Sequence, residues 1–432
     1  MRKKKIFVHG TAESIQKFFA DAVSRDYEIV ALLGSRPKRI SVTQNGKQLD
    51  ALTPKNLPKF NYGLIDGIIF TNNNQAVVDF FLKQGMESRK IILWDAQKGW
   101  ETFQNQEADG TKIIYFCGLE FHIRNNDDEK SFKRIKNYLV NQRKVKNWSP
   151  QHYPEVLAEN FQKRQGRPLD FENPKTFTEK LNWMKIYDAT PLKSRLADKY
   201  SVRIWVAEKI GGEYLIPLLG VWNDFDEINF DDLPNQFVLK CNHGWNMNIV
   251  VRDKKSLDIE SAREKINGWL AVDFGAQPAL EIHYSRIDRK IIAEKFMANG
   301  DLPDLIDYKF VCINGKIIYC QYLTDRSSKL KLNYFDENWK ITDTVRNDHP
   351  RSDNPEEISP PKNFELMKKL AAKLAEGFAF VRVDFYEIEG RVYFGEMTFT
   401  PGAGNFSYKS EGTDEYLGGL LKLPALTPPP KL

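Results

Sequence analysis

The sequence predicts an α/β protein of two domains, a parallel sheet with covering helices over residues 1–148 and a second domain over residues 149–432 whose strands pair through hairpins. Three observations carry this reading. Short apolar runs alternate with helical patterns through the first 117 residues, as in strands joined by crossover helices. In the second part, strand signals flank tight turns at Asn314-Gly315 and Glu389-Gly390. A chain of 432 residues is also long enough for two or three separate cores.

Composition excludes some classes. Charged residues make up 28% and the mean hydropathy is −0.51, with no apolar run long enough to span a bilayer. The opening "MRKKKIFVHG" has basic residues before apolar ones, but its apolar stretch covers only Ile6 to Val8 and no small-residue cleavage site follows, so it fails as a secretory signal. The spacings of Cys117, Cys241, Cys312 and Cys320 fit neither a zinc site nor a disulfide framework, and a reduced cytoplasmic location is the simpler reading. A net charge of +5 is too modest at this size to argue for nucleic acid, and is compatible with an anionic substrate, a polymer or a membrane surface.

In the first domain the apolar runs fall at residues 6–8, 29–33, 67–70, 91–94 and 113–116. Ile15, Phe18, Phe19 and Val23 form a helical pattern after the first run, and Val77, Val78, Phe81 and Leu82 form another after the third. This alternation makes the domain Rossmann-like. Only Gly10 stands where a dinucleotide fingerprint has three glycines, so both a scaffold role and a nucleotide-like ligand stay open. Residues 125–148 then place Phe132, Ile135, Tyr138 and Leu139 at helical spacing among lysines and arginines. A solvated helix joining two domains is the ordinary reading, and a lipid or polysaccharide contact is the alternative.

In the second domain, "FENPKTFTEKLNWMKIYD" opens a helix with a capping pattern from Thr176 to Glu179, and a further helix covers residues 192–210. "QFVLKCNHGWNMNIVV" reads as two strands around a polar loop. Lys240 ends the first of them, so an ammonium group and exposed backbone N–H groups converge where a phosphate tail could sit. "RKIIAEKFM" is a strand that stops at Glu294 and Lys295 before a short hinge, an arrangement that can present backbone groups and a carboxylate to an adenine edge. Asp307 and Lys309 follow on the next strand, within reach of ribose or phosphate. Residues 325–362 form a long polar loop, functional or mobile.

The last hairpin is expected over residues 378–386 and 391–398. Alternation puts Phe380, Arg382, Asp384 and Tyr386 on one face of the first strand, and Phe394, Glu396 and Thr398 on one face of the second. If the hairpin pairs in register, Asp384 and Glu396 meet beside Arg382, which suits Mg²⁺ carrying nucleotide phosphates. Removing either carboxylate charge is then expected to abolish ATP turnover with the fold intact.

Taken in order, "FTEKLNWMKIYD", "LADKYSVRIWVAEKIGGEYLIPLLGVW", "FVLKCNHG", "IIAEKFM", "DYKFVCINGK" and "GEMTFTPGAG" resemble the TupA-like branch of the ATP-grasp superfamily, over roughly residues 171–423. The resemblance implies an ATP-grasp (α+β) fold, ATP and Mg²⁺, and an association with teichuronopeptide or capsular polysaccharide biosynthesis. It implies Arg203, with Lys199 as a rival, and Lys240 as phosphate-binding residues. Glu294, Lys295 and Met297 match the adenine hinge, with Asp307 and Lys309 nearby. Asp384, Glu396 and Thr398 match the metal-binding positions, and Arg382, with Lys240, the catalytic cations. Two positions depart from the family pattern. Trp245 stands in the phosphate loop where a small residue is usual, and Thr398 replaces a metal-binding Asn, which puts a second metal in doubt.

The implied activity is an ADP-forming carboxylate-amine ligase that makes an amide through an acyl phosphate. Its substrates would be small-molecule or saccharide carboxylates and amines. A saccharide kinase, with Asp325 or His349 as base, and a nucleotide-sugar glycosyltransferase are the alternatives.

Overall fold

The computed structural model describes residues 4–10, 27–34, 41–44, 47–52, 67–70, 91–95, 99–101, 103–106, 111–116, 119–298, 300, 304–347 and 349–432. They form two compact units, residues 1–136 with 263–268 and residues 137–262 with 269–432.

The first unit holds β1 (Lys4–Gly10), β2 (Tyr27–Gly34), β3 (Ser41–Gln44), β4 (Lys47–Leu52), β5 (Gly67–Phe70), β6 (Ile91–Asp95) and β7 (Gly99–Glu101) in one sheet of order β3-β4-β2-β1-β5-β6-β7. The central strands β4-β2-β1-β5-β6 are parallel, and β3 and β7 pair antiparallel at the edges. The four apolar runs between residues 6 and 94 thus became parallel strands. The run at 113–116 did not join them. It forms β9 (Lys112–Phe116) in an antiparallel sheet with β8 (Phe103–Gln106) and β10 (Leu119–Ile123), because the short connection to β10 permits only a hairpin. The helical patterns at 15–23 and 77–82, the turn after Gly10 and Cys117 lie outside the described residues.

Helix α1 (Asn126–Lys146) leads out of this unit, with Asn125 Oδ1 accepting from the N–H groups of Asp127 and Asp128 at 2.9 and 3.0 Å. Its acidic first turn and basic last turn both complement the helix dipole. Helices α2 (Tyr153–Gln165), α3 (Phe177–Tyr187), α4 (Pro191–Ala197) and α5 (Val202–Lys209) follow. The single helix expected over 192–210 is two, broken at Asp198. That carboxylate takes hydrogen bonds from Tyr200 N at 2.8 Å, Ser201 Oγ at 2.6 Å and Asn242 Nδ2 at 2.7 Å, offering the chain a competing local structure.

Two antiparallel sheets follow in the second unit. The four-stranded one, of order β11-β14-β12-β13, comprises β11 (Leu218–Trp222), β12 (Phe237–Cys241), β13 (Asn248–Val251) and β14 (Ile291–Lys295). The five-stranded one, of order β17-β16-β15-β18-β19, comprises β15 (Asp307–Ile313), β16 (Lys316–Thr324), β17 (Lys331–Phe335), β18 (Phe380–Ile388) and β19 (Arg391–Thr398). Helix α6 (Ile259–Ala271) precedes β14. One face of the five-stranded sheet, with Phe310, Cys312, Val381, Val383 and Phe385, packs on α7 (Phe364–Ala375) in one buried cluster. The other face changes character along its length. Val311, Ile313 and Phe380 lie in a second cluster with Phe177, Leu181 and Met184 of α3, while Asp307, Lys309 and Asp384 on the same face are buried polar groups. A sheet covered on both sides at one end and only on one side at the other leaves a polar half-face, and that half-face carries the site.

The N-terminus of α3 is fixed by a capping box between Thr176 and Glu179. Arg167 donates to Glu179, to Thr176 Oγ1 and to Asp414 at the start of α8 (Thr413–Leu420). The close approach of α8 requires glycine at 418, where a Cβ would stand 2.1 Å from the Lys175 carbonyl oxygen and 2.7 Å from Phe177 N. At Gly419 a Cβ would meet nothing within 4 Å. Gly418→Ala is therefore expected to destabilise this unit by about 1–3 kcal/mol. Gly419→Ala should be neutral or stabilising by up to about 1 kcal/mol, as for glycine in a helix interior. Urea denaturation of the two variants checks the contrast.

Candidate functional site

The register of the last hairpin assembles the first half of the site. Asp384 pairs directly with Glu396, and Arg382 with Thr398. Its turn lies at Glu389 and Gly390, both at positive φ, as the sequence predicts. An extra residue, Gly395, forms a bulge, so Phe394 pairs with Phe385 and joins the apolar cluster rather than sharing a face with Glu396. Strict alternation misplaces Phe394 for this reason alone. A Cβ at Gly395 would stand 3.1 Å from the Asp384 carbonyl oxygen.

Arg382 binds both oxygens of Asp384, at 2.7 Å each, and also reaches Glu396 Oε1 at 2.8 Å and Thr398 Oγ1 at 3.0 Å. Lys309 of β15 donates to Asp384 as well, and to Asp307 at 3.0 Å; Arg326 donates to Asp307 at 2.6 Å. Three cations thus face three carboxylates. Asp384 is only 1% exposed, whereas the Glu396 side chain is 36% exposed. Burial alone would raise the Glu396 carboxyl, but Arg382, Lys199 and Lys309 outweigh it and hold it at about 2. Asp307 is lowered too, since Lys309 and Arg326 overcome its burial.

The second half of the site comes from the four-stranded sheet. Val238 pairs with Glu294 and Lys240 with Ile292, so Lys240 and Glu294 are diagonal neighbours on one face, joined at 2.5 Å. Arg203 of α5 reaches Glu294 Oε1 at 3.1 Å and the Ile216 carbonyl at 2.8 Å. Lys199 donates to the Gly244 carbonyl at 2.7 Å, and so props the loop after β12. Burial lowers both Lys199 and Arg203, with Glu396 acting most against it at Lys199 and Glu294 at Arg203. The loop is tethered from below: Asn242 Oδ1 accepts from Lys290 N at 2.7 Å, and buried His243 contacts the Trp269 carbonyl at 3.1 Å. Trp245 projects from the same loop, 64% exposed.

A cavity of about 850 Å³ joins these groups, lined by all the site residues the sequence predicts: Arg203, Lys240, Glu294, Lys295, Met297, Asp307, Lys309, Arg382, Asp384, Glu396 and Thr398. Lys199 and His349 line it as well, and Asp325 does not. Three placements differ in detail from the sequence reading. The Glu294 carboxylate points to Lys240 and Arg203, Lys295 N is engaged by the Pro217 carbonyl at 2.9 Å, and Lys309 is locked between two carboxylates. Sequence reasoning missed Arg326, Glu281 and Tyr284, which also line the cavity. Arg326 lies in a loop singled out only for its length, and nothing in "EIHYSR" marks Glu281 as a site residue.

The donor set near Arg382 is chemically right for a hard cation, since it offers carboxylate and hydroxyl oxygens. Both oxygens of Asp384 are already bound by Arg382, whereas Glu396 opens to the cavity with Thr398 beside it. The two carboxylates therefore differ in role. Asp384→Asn strands two cations and is expected to cost roughly 3–5 kcal/mol of stability, against the sequence expectation of an intact fold. Glu396→Gln should cost far less near neutral pH. Because Glu396 is depressed from 4.5 to about 2, its contribution is present above about pH 4.5 and lost as pH falls to about 2. Chemical denaturation from pH 7 to pH 2 should show that loss in the parent protein and a shallower one in Glu396→Gln.

Among described residues, no helix is long and apolar enough to cross a membrane. No curated protein matches the chain. Among solved structures it is similar to D-alanine–D-alanine ligase from Bacillus anthracis, at 11% identity over 92% of this chain and 87% of that one, with a TM-score of 0.29. It is also similar to an ADP complex of N5-carboxyaminoimidazole ribonucleotide synthetase (11% identity, 99% and 79% covered, TM-score 0.32). A third similar structure is the ATP-grasp ligase PsnB with a minimal precursor, Mg and ADP (10% identity, 98% and 97% covered, TM-score 0.31). The family described as TupA-like ATPgrasp matches residues 179–422, more than half of the chain and every residue that lines the cavity, and the chain belongs to that family.

Proposed function

We propose that the protein is an ATP-dependent, ADP-forming carboxylate-amine ligase that makes an amide through an acyl phosphate. The observation that carries this reading is the segregation of charge in one cavity. At one end Lys199, Lys240 and Arg203 face a single paired carboxylate, Glu294, an excess of positive charge suited to a polyphosphate. At the other, Arg382 is fixed by Asp384 and Glu396 with its guanidinium edge on the cavity.

Each group has a role in this reading. Lys240 and Arg203 hold the phosphates, and Lys199 keeps the loop after β12 against them. The segment through Glu294, Lys295 and Met297 takes the base. Glu396, Thr398 and Asp384 are the residues that would hold Mg²⁺, which supplies charge neutralisation at the phosphates when bound. Arg382 is aimed at negative charge that develops as the carboxylate oxygen attacks the γ-phosphorus, and again on the tetrahedral oxyanion when the amine attacks. Its bidentate grip on Asp384 pre-orients it, so no reorganisation is needed at that moment. Arg326 and His349 line the cavity where an anionic substrate would enter. The carboxylate and amine are proposed to belong to an envelope or capsular saccharide or a linked amino acid, on the family's association with teichuronopeptide and capsular polysaccharide. The parallel sheet of residues 4–95 is read as a Rossmann-like domain, and the whole protein as cytoplasmic.

Lys240→Ala is expected to weaken ATP binding by about 1.5–3 kcal/mol, the range for a hydrogen bond to a charged group, and to leave adenosine binding unchanged. Calorimetry with both ligands checks this; equal losses would make Lys240 structural. The reaction itself is tested with a panel of uronic and amino acids, ATP, magnesium and hydroxylamine. An acyl phosphate is trapped as a hydroxamate, and oxygen-18 placed in the substrate carboxylate appears in released phosphate. A stable phosphorylated saccharide that retains the label would establish a kinase instead.

A further inference from the structure

Glu281 is a carboxylate that the roles above leave unused. It caps the short 3₁₀ helix Ile282–Arg286 and lines the same cavity as Arg382 and Glu396. Its carboxylate accepts a hydrogen bond from the Thr400 hydroxyl, two positions beyond Thr398 on the chain. Thr400 is buried, and the following segment, Pro401–Gly404, turns sharply through positive φ at Gly402, Ala403 and Gly404. Lys185 of α3 supports that turn from behind, fully buried, donating to the Ala403 carbonyl at 2.8 Å.

Two observations place Glu281 near the reacting end. Partly buried Tyr284, three residues on, lines the cavity together with Glu281 and Glu396, and burial first and then both carboxylates push its phenol well above the usual range. The Thr400 contact also ties Glu281 to the chain that leaves β19 directly after Thr398. The charged and titratable groups around Glu281 are Lys185 from α3 and Tyr284 from its own helix, with Arg164 of α2 beyond Lys185. Lys185 acts on it through space, and Glu281 itself lines the cavity.

A carboxylate fixed by one hydroxyl, facing a cavity otherwise rich in cations, is the group that fits an incoming amine. Resting on the ligase reading above, we propose that Glu281 binds the charged amine of the nucleophilic substrate and takes from it the proton that must leave before the nitrogen can attack the acyl phosphate. A Glu281 oxygen takes one proton from the bound ammonium, and the nitrogen lone pair so freed forms the C–N bond. The acyl C–O bond breaks with its electron pair leaving on inorganic phosphate, which takes the second proton from nitrogen. Burial raises the Glu281 carboxyl, against the Thr400 hydrogen bond and the Lys185 charge, which moves it toward the range where a base works near neutral pH.

The test compares two nucleophiles on the same activated carboxylate, with ATP and magnesium present: an α-amino acid panel, charged near neutral pH, and hydroxylamine, which is not. Glu281→Gln keeps the size of the side chain and an acceptor for Thr400. It is expected to lower amide formation by about a hundredfold or more while changing hydroxamate formation by less than about threefold, since general base catalysis is lost only from the charged amine. Glu281→Asp keeps the charge and is expected to fall between the two, and it carries the comparison if the glutamine variant does not fold. Equal losses with both nucleophiles, or no loss with either, would overturn the role of Glu281 and leave the ligase standing. Failure of the parent protein to form a hydroxamate from any carboxylate would overturn both.

Discussion

The bidentate contact between Arg382 and Asp384 is the constraint on which the site depends. Asp384 is buried and Arg382 mostly so on the polar half of a sheet face, where an unpaired charge would be expensive. Lys309 and Glu396 complete the pairing from the two flanking strands, so the strands β15, β18 and β19 are locked at one level by charge as well as by backbone hydrogen bonds. The same pairing that fixes the sheet presents a guanidinium to the cavity with little freedom to move. Stability and preorganisation are here one interaction, and they cannot be adjusted separately.

Much of this was legible in the sequence, for reasons that can be named. Hairpin turns at Asn314-Gly315 and Glu389-Gly390 need positive φ, and both pairs adopt it. The second strand of the last hairpin was bounded correctly at residues 391–398, and the facing of Asp384 and Glu396 followed from that register. Every predicted site residue lines one cavity because ordered motifs on strands fix positions through pairing. Partners were less legible. That Lys309 would be held by Asp384, seventy-five residues away, and Glu294 by Lys240 and Arg203, depends on how strands of distant sequence are aligned. Period cannot report that.

Glu281 was invisible for a different reason. It stands outside any strand, in a 3₁₀ helix too short to show periodicity, and only the return of the chain at Thr400 brings it to the site. The break at Asp198 was similarly hidden, because besides local bonds from Tyr200 and Ser201 its carboxylate is held by Asn242, a residue of another element. In the first unit, the run at 113–116 had strand character but its pairing partner was decided by a hairpin connection rather than by its own apolarity.

The bulge at Gly395 separates β19 into two stretches of opposite phase. Val392 and Phe394 join the apolar cluster on the helix side of the sheet, Phe394 also bordering the cavity, while Glu396 and Thr398 carry the polar groups of the cavity. One added residue lets a single eight-residue strand satisfy two environments on opposite faces in succession. The turn and the outer part of the hairpin are thereby insulated from the chemistry. Drift in the outer stretch can repack the hydrophobic side without rotating a carboxylate out of place, so this protein can vary the shape of its hairpin tip while the charged half keeps its aim.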